Sequence, residues 1–221
     1  VPSNTGCENI QVGGAHYVLL AGAVTANKIL KSVRLLLSEI GDYNFMDCES
    51  LEAVDMGETQ KIGTNVFINC STLREVLMPV VSEISTNSIC DNASLELIDF
   101  GSTDLTTLEQ VGNNNPKLRV IHIPAGVTSI KDSFNSAGAL EAIYFASTVP
   151  PTLAGSFDSI TADTKIYVPL DFADAYRSAP GWEVYKDNIV AHVPDNTIYY
   201  YSPIEMSTYN MAFDNGNSIK S

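Results

Sequence analysis

The sequence has little positive charge. It carries 12 lysine and arginine residues against 26 aspartate and glutamate residues, which gives a formal net charge of -14 at neutral pH. A field of this sign repels nucleic acids and anionic bilayers unless a local basic patch overrides it, and the sequence contains no such patch. We therefore expect no nucleic-acid partner.

Long apolar runs are also missing. The longest, YVLLAGAV at residues 17–24, is far shorter than the about 20 residues that span a bilayer. No basic segment precedes it, so it indicates a strand or helix near the start of the fold, not a signal peptide. With 45% hydrophobic residues, the composition predicts a soluble globular chain with a sizeable core and no membrane insertion.

Cysteine is scarce, and its spacing is uninformative about the compartment. The chain has no CxxC pair, and the spacing of its cysteines fits neither zinc ligation nor a dense disulfide scaffold. The four cysteines are Cys7, Cys48, Cys70 and Cys90.

Motifs that carry chemistry are absent as well. The sequence has no HExxH, GxSxG, P-loop, helix-opening GxGxxG or EF-hand loop. Its three histidines, His16, His122 and His192, fall in different regions. We therefore expect no catalytic residue, no metal and no cofactor, and an enzymatic function is the weakest of the hypotheses.

One pattern recurs along the chain, Leu-x-x-(Ile/Val)-x-(Phe/Met/Ile). Its copies are LEAVDM at 51, LREVLM at 73, LELIDF at 95, LRVIHI at 118 and LEAIYF at 140, in steps of 22 or 23 residues. A weaker copy, LKSVRL, begins at residue 30, and KIYVP at 165–169 supplies one more strand. A near-constant period of this size is the signature of stacked repeats.

The segments between the copies repeat too. One apolar residue lies six positions before the leucine of a copy, and an isoleucine often lies eleven before it. The first set is Phe45, Phe67, Ile89 and Phe134, and the second is Ile40, Ile62 and Ile84. Each unit therefore offers a short strand and a return segment with inward apolar residues, and only stacking in a solenoid buries them.

Two of these units resemble a known family. IGDYNFMDCESLEAV and IGTNVFINCSTLREVLMP resemble the leucine-rich repeats of the BspA-like bacterial surface proteins, whose units run roughly I-G-x-x-A-F-x-x-C-x-x-L-x-x-I-x-(I/L)-P. The resemblance covers about residues 30–169 and implies an α/β solenoid of leucine-rich repeats with capped ends, a parallel sheet on one face and mostly irregular return segments. It also implies a secreted or cell-surface, non-enzymatic binding or adhesion module whose partner is a host-matrix or cell-surface protein or a glycan.

The chain is predicted to divide into a solenoid, two caps and a tail. Residues 1–29 are predicted to form an N-terminal cap, 30–169 the solenoid, and 170–193 a C-terminal cap with a short helix. KIYVPLDFADAYRSAPGWEVYKDNI resembles the segment that closes such solenoids. Asp171 is the predicted N-cap of its helix, and Trp182 is predicted to seal the last coil. Residues 194–221 are predicted to be a tail or the start of a further strand-rich module.

The middle of the solenoid departs from the repeat. Asn92 and Asn115 replace the cysteine of the unit, and VGNNNPK at 111–117 has lost its phenylalanine, so we expect a looser or bulged coil there. Cys48 and Cys70 occupy the same repeat position. A disulfide between neighbouring coils is geometrically conceivable, but a buried, reduced column is favoured.

Residues that alternate with the core should face outward. The residue after each leucine alternates in sign without exception, and this charge row reads Lys31, Glu52, Arg74, Glu96, Arg119 and Glu141. Since neighbouring strands lie about 4.8 Å apart, a row of salt bridges that fixes the register is a better interpretation than ligand capture.

The outward column between the last two core residues of each strand changes character along the chain. It reads Arg34, Asp55, Leu77, Asp99, His122, Tyr144 and Tyr167. Its aromatic C-terminal half is typical of a partner-binding surface, and we predict His122, Tyr144, Tyr167 and Leu77 as binding residues. Aromatic side chains that merely stack on each other are the alternative. A structural spacer within a larger surface protein is the competing function, and the sequence names neither the ligand nor the oligomeric state.

Overall fold

The repeat period determines how the chain winds. The structure is a computed structural model that describes residues 9–13 and 18–193. Over these residues the chain forms a parallel-strand β-solenoid with little helix, which confirms the predicted fold. The predicted tail or further module at 194–221, and Cys7, lie outside the described residues.

A long parallel sheet covers one side of the solenoid. Within the described residues it has nine strands. In spatial order they are β1 (Asn9–Gly13), β3 (Ser32–Leu36), β5 (Ala53–Asp55), β8 (Glu75–Met78), β11 (Leu97–Phe100), β13 (Val120–Ile123), β15 (Ala142–Phe145), β17 (Lys165–Pro169) and β18 (Ile189–His192). Equivalent repeat positions are paired, as in Val54 with Val76 and Ile143 with Ile166. A slip of one residue would turn every core side chain outward, which fixes this register.

The first described strand belongs to the same sheet. β1 pairs in parallel with β3, and the pairing runs from Asn9 with Ser32 to Gly13 with Leu36. Part of the predicted N-terminal cap therefore continues the long sheet by one strand. The limits of both caps stay predictions.

Shorter strands line the return side. One return sheet contains β2 (Val18–Leu19), β4 (Glu39–Ile40), β6 (Lys61–Ile62) and β9 (Glu83–Ile84), and a second contains β12 (Thr107–Glu109), β14 (Ser129–Lys131) and β16 (Thr152–Ala154). Between the two sides, β7 (Phe67–Ile68) pairs with β10 (Ile89–Cys90). The return sheet is divided after β9, where one repeat is a residue longer than its neighbours. The long sheet is continuous there, because Leu97 pairs with Val120.

The coil at residues 111–117, which was expected to be looser or bulged, is packed through a glycine. Gly112 stands where other coils carry the repeat phenylalanine, and its φ is +75°. A Cβ atom at this position would lie 2.4 Å from Cδ1 of Phe134, so the ring of the next coil occupies the space. Phe134 also contacts Phe100 edge-on, with ring centroids 6.2 Å apart. The glycine is therefore required for both the backbone conformation and the close approach of the ring.

Aromatic stacking continues through the core of the regular coils. The rings of Phe45 and Phe67 are stacked with centroids 5.4 Å apart, and Phe67 pairs with Ile89 in the next coil. Phe134 and Phe157 are stacked in the same way at 5.2 Å. All of these side chains are buried, which confirms that the return segments contribute to the core.

Cysteine and asparagine share one buried column. Cys48 and Cys70 are free thiols, and the Cys70 Sγ donates a hydrogen bond to the Phe45 carbonyl at 3.1 Å. The Asn92 Oδ1 accepts from the Cys70 backbone N–H at 2.9 Å, and the Asn92 N–H donates to Asn115 Oδ1 at 2.9 Å. The asparagines therefore bond successive coils together at the positions that cysteine occupies elsewhere.

A short helix closes the C-terminal end of the described solenoid. The helix α1 (Ala173–Ser178) follows a 3-10 turn at Leu170–Phe172, and a second turn at Glu183–Tyr185 comes after it. The predicted N-cap at Asp171 is wrong, because Phe172 holds that position without a side-chain hydrogen bond and Asp171 lies within the 3-10 turn. Trp182 is buried, and its indole N–H donates to the Pro151 carbonyl at 2.8 Å, as expected for a residue that seals the last coil.

Candidate functional site

The outward column of the long sheet is formed as the register predicts. Neighbouring members are paired from strand to strand, from Arg34 with Asp55 to Tyr144 with Tyr167. Every member is half-buried. Side chains of one column therefore touch their neighbours and still present part of their surface to solvent.

Four aromatic side chains meet at the C-terminal end of this column. The aromatic cluster consists of His122, Tyr144, Tyr167 and His192. The Tyr144 and Tyr167 rings are nearly parallel, with centroids 4.7 Å apart, and the His122 ring is perpendicular to Tyr144 at 5.0 Å. The His192 ring lies 5.5 Å from Tyr167 and 5.8 Å from Tyr144.

The orientation of the rings determines what they offer to a partner. Tyr144 and Tyr167 come from adjacent strands, so near-parallel rings at this distance turn their faces toward each other. The second face of Tyr144 is turned toward His122, and Tyr167 is next to Val190 on the following strand. The ring edges are therefore the surface that points away from the sheet. Stacked aromatic side chains of this kind form a rigid surface, because each ring limits the rotation of the next.

His122 also connects the aromatic cluster to a carboxylate. Its Nδ1 lies 3.3 Å from the Asp99 Oδ2, and each side chain is about one-fifth exposed. Leu77 is on the far side of Asp99, where its strand pairs with that of Asp99. The structure thus places three of the four predicted binding residues in contact and leaves Leu77 two strands away from His122.

Sequence reasoning missed His192. It is on β18, where it pairs with Pro169 on the strand after Tyr144, although it is 48 positions beyond Tyr144 in the sequence. The segment NIVAH at residues 188–192 is too short for its alternation to identify a strand, but Ile189 and Val190 after the cap helix were the available signal.

Part of the predicted salt-bridge row is present in the structure. The Arg119 guanidinium donates two hydrogen bonds to the Glu141 carboxylate, at 2.9 and 3.0 Å, and lies 3.9 Å from Glu96. This hydrogen bonding lowers the pKa of Glu141 below its ordinary value. The side chains are about half exposed, so each pair contributes little to stability.

Charge is distributed unevenly between the two sides of the solenoid. The long sheet and the charge row carry a nearly balanced set, and the acidic excess of the described residues lies on turns, return segments and the cap. The cations of the sheet side are Lys31, Arg34, Arg74, Arg119 and Lys165, and its carboxylates are Glu52, Asp55, Glu75, Glu96, Asp99 and Glu141. A balanced face associates with less electrostatic repulsion than a strongly acidic one.

No arrangement typical of catalysis is found in the part of the chain that the structure describes. There, no group of three or more His, Cys, Asp and Glu side chains is placed to hold a metal ion, and no helix is long and apolar enough to cross a membrane. Burial raises the pKa of the Cys48, Cys70 and Cys90 thiols, which makes them poor nucleophiles.

Comparison with known proteins agrees with the repeat geometry. A family model for the BspA-type leucine-rich repeat region matches six copies over residues 38–162. No curated protein matches the chain. The matched region covers more than half of the sequence and coincides with the stacked coils from β4 to β16. The chain therefore belongs to the BspA-type leucine-rich repeat family.

Proposed function

We propose that this chain is a secreted or cell-surface binding module that recognises a protein or glycan through the C-terminal half of its long sheet. Repeat solenoids of this family generally mediate interactions and are typically non-enzymatic, and the family is typically surface-exposed or secreted in bacteria. The observation that carries the proposal is the aromatic cluster, which presents two stacked tyrosines and two histidines on an outward sheet face.

The composition around the aromatic cluster supports this choice of surface. Val120, Ala142 and Lys165 lie in the neighbouring outward column, and Ala146 and Pro169 lie on the other side. These side chains are mostly small or apolar, so the aromatic edges are not walled by long charges. Interface centres are depleted in charge and rich in tyrosine, so the surroundings have the composition of a recognition surface.

The proposal is tested by binding measurements on two matched variants. The chain is screened against host-matrix proteins and a glycan array, and each ligand found is titrated against Tyr144→Ala and Asp55→Ala. We expect Tyr144→Ala to weaken binding by about 2 kcal/mol, because it removes the centre of the aromatic cluster. Asp55→Ala, in the same column four strands away, should be nearly neutral.

The outcome that rejects the proposal is equally definite. If both variants bind every ligand of the screen as the unmodified chain does, the sheet face is only scaffold. The spacer hypothesis then replaces it. That second function is favoured by the internal pairing of the face, since Arg34 is 3.2 Å from Asp55 and Arg119 is bonded to Glu141.

A further inference from the structure

We propose that Arg177 blocks the open edge of the long sheet, and that without it copies of this chain add to one another end to end. Among the described strands, β18 is the last in spatial order and pairs with β17 alone. An open edge presents backbone N–H and C=O groups that can pair with a strand of another chain. The inference concerns this edge and is independent of the recognition proposed for the sheet face.

The pairing of β18 determines which of its backbone groups face outward. Ile166 is in register with Ile189, and the Ile166 N–H donates to the Asn188 carbonyl at 2.9 Å. In a parallel pair, alternate residues direct their backbone groups to opposite sides of the strand. The Asn188 carbonyl and the backbone groups of Val190 therefore face β17, whereas those of Ile189 and Ala191 face away from it.

Arg177 occupies the first of these outward positions. Its Nη2 donates to the Ile189 carbonyl at 2.9 Å, and its Nη1 donates to the Asp174 carboxylate at 2.9 Å. The arginine is in the last turn of α1, which packs against β18. It therefore satisfies an acceptor that an added strand would need. It also places a guanidinium group on the path of that strand, and desolvating this charge would be costly.

The rest of the edge has little protection of its own. β18 has the sequence IVAH and contains no lysine, arginine, aspartate or glutamate, although charged side chains are a common means of keeping sheet edges apart. Ala191 is exposed and small, so another strand could approach its backbone closely. The charge that discourages pairing at this edge is thus supplied by Arg177 from the cap helix.

The opposite edge of the same sheet is the strand that fits. Among the described strands it is β1, whose sequence NIQVG carries no charge. The strands of the long sheet are paired in parallel, so β1 of a second copy placed beside β18 would continue the sheet in the same direction. A head-to-tail contact of this kind does not close and adds copies in a line. Loss of Arg177 should therefore produce growth with concentration and not a defined dimer.

The first test measures the weight-average mass of the full chain by sedimentation equilibrium from about 5 to 500 µM, a range suited to a weak contact. The mass of the unmodified chain should stay constant. Arg177→Ala should raise the mass steadily, to at least about twice the starting value, and Arg177→Met, which keeps an apolar stem, should do the same. Asp174→Ala is the matched control, because it leaves the bond to the Ile189 carbonyl in place, and its mass should stay constant.

A second pair of variants separates edge pairing from a general loosening of the cap. Ala191→Pro, added to Arg177→Ala, removes an outward N–H without breaking a bond to β17, and proline is tolerated on edge strands in this orientation. This double variant should return to constant mass. Tyr176→Phe loosens the cap by removing the hydrogen bond to the Ser147 carbonyl but keeps Arg177, so its mass should also stay constant.

Three results overturn the inference. These are a constant mass for both Arg177 variants, growth that Ala191→Pro does not reverse, and growth of Tyr176→Phe equal to that of Arg177→Ala. A circular dichroism melt establishes that each variant is folded. None of these results bears on the recognition of other proteins or glycans, which the screen with Tyr144→Ala decides separately.

Discussion

Replacing Asn92 by alanine should destabilise the fold by about 2 to 4 kcal/mol. The side chain is fully buried. Its Oδ1 accepts from the Cys70 N–H at 2.9 Å, and its Nδ2 donates to the Phe67 carbonyl at 2.9 Å. Alanine removes both bonds and leaves a buried donor and a buried acceptor, each of which costs about 1 to 3 kcal/mol when its partner is lost.

A cysteine at the same position should have an intermediate effect. The thiol of Cys70 donates to the Phe45 carbonyl one coil earlier, so Asn92→Cys can keep the equivalent bond to Phe67. A thiol is a weak acceptor, and the Cys70 N–H would lose its strong partner. We expect about half of the loss caused by alanine.

The measurement is urea unfolding at constant pH, with the free energy of unfolding extrapolated to water. Ser71→Ala is the control, because Ser71 is exposed and its hydroxyl donates a long hydrogen bond, 3.4 Å, to the Glu49 carbonyl; it should change stability by less than about 0.5 kcal/mol. The argument fails if Asn92→Ala costs less than 1 kcal/mol, or if cysteine and alanine at position 92 cost the same.

Three further predictions concern the core, the charge row and alkaline pH. Phe67→Ala should cost about 3 to 5 kcal/mol in urea unfolding because it opens a cavity in the stacked core, and a loss below about 1 kcal/mol would contradict that placement. Arg119→Glu should cost about 1 kcal/mol, and the loss should shrink in high salt; a salt-independent loss would indicate packing by the arginine stem. Burial raises the pKa of Tyr176, whose hydroxyl donates to the Ser147 carbonyl. The unfolded state therefore ionises first, stability should fall as pH rises above about 10, and this fall should be smaller in Tyr176→Phe; an equal fall in both would refute the assignment.

The repeat pattern predicted most of the fold because each coil has to bury apolar side chains at the same repeat positions. Stacking of the coils is required by the period, the inward leucines and the positions of Phe45 and Phe67. Parallel pairing then follows for every strand. The neighbours of Tyr144 in the outward column could be predicted for the same reason. The N-cap of the short helix could not be predicted. Around Asp171 the chain can form either a 3-10 turn or a helix start capped by a side chain, and the sequence favours neither strongly.

The sequence by itself determined the solenoid, the alternating charge row and the three aromatic positions of the outward column, since all of them depend only on a period of 22 or 23 residues. Only the tertiary structure decided how exceptions to the period are accommodated. Phe134 occupies the space above Gly112, and Asn92 bonds where cysteine is expected. His192 joins the aromatic cluster because β18 folds back onto the sheet after the cap helix. These contacts join residues about 20 to 50 positions apart through irregular segments, where side-chain packing alone selects the geometry.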